Sequence, residues 1–132
     1  MTASSSYDST SLFNLQGEIN RLGNNVERMW PKEKRNLLGF GLGAGMLVLE
    51  LGSGPGFFTE RLATLVPNGS ITCIEPEPAF VEYARGHLKD RVGVPHRIIQ
   101  GTVEDVELPE GRARSTSRLP GPCTGSLRIH SR

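Results

Sequence analysis

The segment Glu50-Leu51-Gly52-Ser53-Gly54-Pro55-Gly56 joins a carboxylate to three glycines at alternate positions. Glycine has no Cβ to keep a ligand away from the backbone, and a helix starting beyond Gly56 would present free N–H groups to a polar or anionic group. A second carboxylate, Glu75, follows Gly52 at close to the roughly 20 residues at which an acid meets ribose hydroxyls in α/β nucleotide sites. A third segment, Gly101-Thr102-Val103-Glu104-Asp105-Val106-Glu107-Leu108-Pro109, can offer a backbone N–H and a side-chain acceptor to an adenine edge. The glycine spacing is G-x-G-x-G. The dinucleotide fingerprint G-x-G-x-x-G fails in both registers, because Phe57 and Thr59 stand where it needs glycine, and no Gly-Lys-Ser/Thr P-loop is present. A nicotinamide-dependent oxidoreductase is therefore disfavoured.

The pattern around these segments predicts the elements that position them. Met46 to Leu51 is a short apolar run ending beside a carboxylate, read as a strand buried on both faces of a parallel sheet. Phe58, Leu62, Leu65 and Val66 recur at helical spacing after the glycine turn, and Pro67-Asn68-Gly69 ends that helix. Ile71 to Glu75 reads as a second strand. Pro76 to Leu88 reads as a helix with Phe80, Tyr83, Ala84 and Leu88 inward, and Arg97 to Gln100 as a third strand. All three candidate segments then fall at the carboxyl ends of successive strands, where open α/β sheets bind ligands. The fold class is α/β: a Rossmann-like, doubly wound parallel sheet in order 3-2-1, truncated to about three strands, with N-terminal helices.

Upstream, residues 1–10 read as a disordered lead and 11–45 as a helical segment in two pieces, interrupted by Gly23-Asn24-Asn25. Lys32-Glu33-Lys34-Arg35 reads as the solvated face of the second piece. Gly41, Gly43 and Gly45 repeat G-x-G-x-G, but before a strand, and so read as a connection. Downstream the composition breaks. All 14 acidic groups lie within 1–111, whereas 112–132 carries five Arg and no acid. That basic segment is expected to be disordered and out of keeping with what precedes it, as in a truncated or frame-shifted product. Without a partner on its second side, the first strand is expected to be an exposed sheet edge inviting self-association.

Several classes are excluded or disfavoured. No apolar run reaches the roughly 18 residues of a membrane span, and the first ten residues lack the cationic and apolar regions of a secretory signal. Two cysteines make neither a disulfide framework nor a four-ligand zinc site, so a cytoplasmic setting is expected. His87, His96 and His130 are scattered, with no metal cluster or catalytic triad. Arginines without interleaved aromatics make nucleic acid an unlikely partner.

Taken together and in order, the three segments resemble the class I S-adenosylmethionine-dependent methyltransferases over about Val26 to Pro109, most closely the small-molecule enzymes of quinone-biosynthesis or fungal-metabolite type. The resemblance implies that Glu50, Gly52, Ser53, Gly54 and Gly56 hold the methionine part of S-adenosylmethionine, with Thr59 at its carboxylate. It implies that Glu75, with Pro76 beside it, holds the ribose, and that Thr102, Val103 and Glu104 meet the adenine. The family's third motif commonly reads G-D-A-E-D-L-P; Gly101, Glu104, Asp105 and Pro109 match, while Thr102 replaces the acid and Val103 the alanine. Residues 46–111 are then a partial cofactor-binding domain, and the implied activity is methyl transfer to a small-molecule acceptor. No general base is nominated. The alternative is a non-catalytic cofactor-binding or interaction fragment.

Overall fold

The computed structural model describes residues 11–102, 104, 113–116 and 126–130. The elements are α1 (Ser11–Gly39), β1 (Leu47–Leu51), α2 (Phe57–Ala63), β2 (Ser70–Glu75), α3 (Pro78–Leu88), β3 (His96–Gln100), β4 (Ala113–Thr116) and β5 (Ser126–His130). The expected β-α-β-α-β unit is present, and β3, β2 and β1 pair in parallel in the expected order.

The N-terminal segment differs from expectation in being one helix. Ile19, Leu22, Val26 and Leu37 are buried along it, and Trp30 meets the ring of Phe58 edge-on at 5.7 Å. This stripe at steps of three and four runs straight through Gly23-Asn24-Asn25 and past Pro31, and tertiary packing of it overrides weak local propensity. Gly23 has a packing reason: a Cβ there would stand 3.2 Å from the Phe57 ring. Glu33 also departs from the solvated face assigned to it. It lies on the buried stripe, where desolvation pushes its carboxyl up while Lys32 opposes the shift; Lys32, Lys34 and Arg35 are exposed.

The core joins Val26, Leu37 and Leu42 to Phe58, Leu62 and Val66 of the α2 segment and to Val48, Ile71 and Cys73 of the sheet. A second cluster, Ala84, Leu88 and Val92, is linked to it through Ala63 and Ile98. On α3 the buried residues are Val81, Ala84 and Leu88, whereas Phe80 and Tyr83, expected inward, are half-buried. Tyr83 instead stacks on His87 at 5.7 Å and faces Phe57 at 5.9 Å. Backbones approach closely where α2 returns to β2. A Cβ on Gly69 would lie 2.2 Å from the Met46 carbonyl oxygen.

The largest correction concerns the sheet beyond β1. Residues expected to be disordered supply β4 and β5, and the sheet order is β3-β2-β1-β5-β4. β5 runs antiparallel to β1, with Leu47 opposite His130 and Leu51 opposite Ser126. β1 is thus an interior strand, not the expected exposed edge. The disordered lead expected at 1–10 lies outside the described residues, as do Val103, Cys123 and the rest of 112–132. Among the described residues no helix is long and apolar enough to cross a membrane.

Candidate functional site

Strand register brings the three loops together. In the parallel ladder Glu50 lies opposite Cys73 and Glu75 opposite Gln100, so the loops after β1, β2 and β3 leave the sheet at one end. Backbone bonds continue past the strands: Gly52 N–H donates to the Ile74 carbonyl at 2.7 Å, and Gly101 N–H to the Glu75 carbonyl at 3.0 Å.

Gly52, Gly54 and Gly56 all have positive φ, at 71°, 59° and 96°, a region side chains other than glycine rarely occupy. Their surroundings differ. At Gly56 an added Cβ would press on Leu88 and Ala84 at 3.1–3.3 Å, so this glycine lets the start of α2 pack on α3. At Gly54, itself buried, an added Cβ would meet nothing within 4 Å, leaving a hollow beside the loop. The Ser53 hydroxyl is buried, and its neighbour is the Cys73 thiol, towards which it is a hydrogen-bond partner.

The Glu75 carboxylate, 6% exposed, ties two loops together. Its Oε1 accepts from Gly54 N–H at 2.8 Å and its Oε2 from Glu77 N–H at 2.8 Å. Each oxygen has a second lone pair, so a held carboxylate can still accept from a vicinal diol. Glu77, overlooked in the sequence, completes the arrangement by capping α3 through Ala79 N–H at 3.2 Å. Its signal was available: an acid immediately before a proline at the first helical position. Pro76 is exposed between the two glutamates, and Thr102 and Glu104 are exposed past β3.

Glu50 is 4% exposed and faces α2. Its Oε1 accepts from the Thr59 hydroxyl, and Cys73 Sγ lies 3.8 Å away. Thr59 is fully buried, and its hydroxyl goes to Glu50, where the resemblance had placed it at the cofactor's carboxylate. Burial pushes the Glu50 carboxyl up to about 7; the Thr59 and Cys73 hydrogen bonds oppose that shift, and the charge of Glu75 adds to it. Burial and the nearby Glu50 charge push the Cys73 thiol up as well, so it is an inert core group despite its contact with the carboxylate.

Residues 48–115 match the family model described as a methyltransferase domain. Over 74 residues the chain is 36% identical to the probable ribosomal RNA small subunit methyltransferase A of Haloarcula marismortui, a match covering 55% of this chain and 25% of that protein. Over 64 residues it is 39% identical to the malonyl-acyl-carrier-protein O-methyltransferase of a Paenibacillus species, covering 47% and 23%. The chain thus spans about a quarter of the length of these relatives. A crystal structure of a SAM-dependent methyltransferase from Aquifex aeolicus aligns over 74% of this chain and 87% of its own, at 15% identity and a TM-score of 0.41. Because the family match takes in more than half of the 132 residues, the chain belongs to the methyltransferase-domain family, the class I S-adenosylmethionine-dependent methyltransferases.

Proposed function

We propose that the chain binds S-adenosylmethionine at the carboxyl ends of β1, β2 and β3, and that the protein transfers its methyl group to a small-molecule acceptor in the cytoplasm. The observation that carries the reading is the Glu75 carboxylate, buried and held between Gly54 N–H and Glu77 N–H at the mouth of two adjacent loops. In this reading Glu75 accepts the ribose hydroxyls beside Pro76. The hollow at Gly54, with Gly52, Ser53 and Gly56 shaping the turn, takes the methionine part next to Glu50. Thr102, Val103 and Glu104 border the adenine. When bound, the cofactor supplies an electrophilic methyl on a sulfonium sulfur. The chain's own contribution is to hold the ligand in one orientation for in-line approach of a nucleophile.

Charge favours a small acceptor over an RNA. In sequence, residues 50–60, 75–84 and 100–110 hold acids and no Lys or Arg. Acidic segments attract a sulfonium and repel a phosphodiester backbone, whose binding depends on Lys and Arg contacts.

Calorimetric titration with S-adenosylhomocysteine tests the site without a substrate. Losing a charged hydrogen-bonding partner costs about 1.5–3 kcal/mol, so Glu75→Ala is expected to weaken binding roughly ten- to a hundred-fold. A 2′-deoxy ligand should show a similar loss on the parent chain. Unchanged affinity in Glu75→Ala would remove Glu75 from the site. Labelled methyl transfer to ribosomal RNA, with none to small molecules, would overturn the acceptor class.

A further inference from the structure

The loop that carries the proposed site rests on a buried cluster with one strong hydrogen-bond donor. Thr59, the third residue of α2, is fully buried, and so is the Glu50 carboxylate it meets. A helical threonine commonly bonds back to a carbonyl of its own helix. This hydroxyl instead crosses to β1 and donates to Glu50 Oε1. Cys73 Sγ, at 3.6 Å from Thr59 Oγ1 and 3.8 Å from Glu50 Oε1, is a weak donor. The titratable groups facing Glu50 are Cys73 and Glu75, both on β2. α2 contributes the neutral Thr59, and β5 places Leu127 opposite Glu50 in register. Among the described residues no Lys, Arg or His pairs with it. The hydroxyl is therefore the principal group opposing desolvation of this carboxylate.

We propose that Thr59 is a positioning residue: by donating to Glu50 it fixes the orientation of that carboxylate and keeps it ionisable beneath the Gly52–Gly56 loop. As an account of cofactor affinity this rests on the binding site proposed above; as an account of Glu50 it stands on the contact itself. The β-branched Thr59 also ties the first turn of α2 to β1 directly under the turn, so loop shape and carboxylate charge depend on one contact.

The test follows Glu50 itself. Its side-chain carboxyl carbon is titrated by NMR in the ligand-free full chain, for the parent, T59V and T59S. A hydrogen bond to the ionised form is expected to hold the midpoint down, so T59V, nearly isosteric but without the donor, should raise it by about one to two pH units. T59S should restore it, which a merely space-filling role would not predict. Equal midpoints in parent and T59V would overturn the proposal. Should T59V not fold, the Thr59 hydroxyl proton of the parent decides. A slowly exchanging resonance, lost as Glu50 is protonated, supports the contact; free exchange at every pH overturns it. S-adenosylhomocysteine titrations on the same proteins separate the two readings. A T59V affinity deficit that shrinks as pH rises from about 7 supports both. A shifted midpoint in a chain that binds no ligand supports the role of Thr59 and overturns the proposed cofactor site.

Discussion

At the scale of single residues, Glu50 is held against its own solvation. Its carboxyl is raised from 4.5 to about 7 by burial, so between those values the folded chain keeps a proton that the unfolded chain has lost. Stability from this group is fully present below about pH 4.5 and falls as pH rises towards 7. Glu50→Gln should remove that slope, and above pH 7 it should be more stable than the parent, by on the order of a few kcal/mol. Thermal unfolding as a function of pH checks this, and the same variant should bind S-adenosylhomocysteine more weakly, a trade of stability against a working site. The glycines separate in the same way. Gly54→Ala strains one φ and fills the hollow, so it should lose ligand affinity with about 1–2 kcal/mol of stability. Gly56→Ala also meets Leu88 and Ala84, and its loss should appear first in thermal unfolding. Ligand affinity retained in Gly54→Ala would show that the hollow is not the ligand's path. The placement of Glu50, Glu75 and the glycines was legible because strand ends and turns announce themselves in order along the chain. The contacts of Thr59 and Glu77 were not, because helical periodicity does not say which strand residue a buried hydroxyl will meet.

Among the elements, the three parallel strands, their order and the two crossover helices were readable from short apolar runs and turn residues. α1 was misread as two helices because Gly23-Asn24-Asn25 argues locally for a break. What holds it together is non-local: Trp30 on Phe58, and Gly23 opened to the Phe57 ring, which also meets His87 at 4.9 Å. Pro31 remains a local cost, since it lacks the N–H that would bond one turn back and its ring crowds that carbonyl. It is exposed, so no packing offsets its removal. Pro31→Ala is therefore expected to stabilise the fold by about 1–3 kcal/mol, seen as a raised denaturation midpoint with an unchanged slope against denaturant. A lower midpoint would mean that a bend at Pro31 is required for the helix to follow the core.

For the whole molecule, the decisive pairing is the one local patterning concealed. Ser126-Leu127-Arg128-Ile129-His130 alternates polar and apolar, the period of a half-buried strand, but five residues amid arginines and prolines are a faint signal. In the structure this segment lies antiparallel to β1, and β4 pairs beyond it. A crossover from β3 to the far side of β1 thereby places the strand carrying Glu50 inside the sheet. Because Leu47 to Leu51 have register partners on both sides, removing 112–132 would leave a row of unpaired N–H and C=O groups on an apolar strand, a template for association. Light scattering of a chain ending at Gly111 should therefore show concentration-dependent self-association that the full chain does not. The proposed ligand pocket borders the same strand, so the shortened chain should also bind S-adenosylhomocysteine more weakly. A monodisperse shortened chain with full affinity would show that β5 neither protects β1 nor shapes the pocket, and that three parallel strands suffice to hold the site.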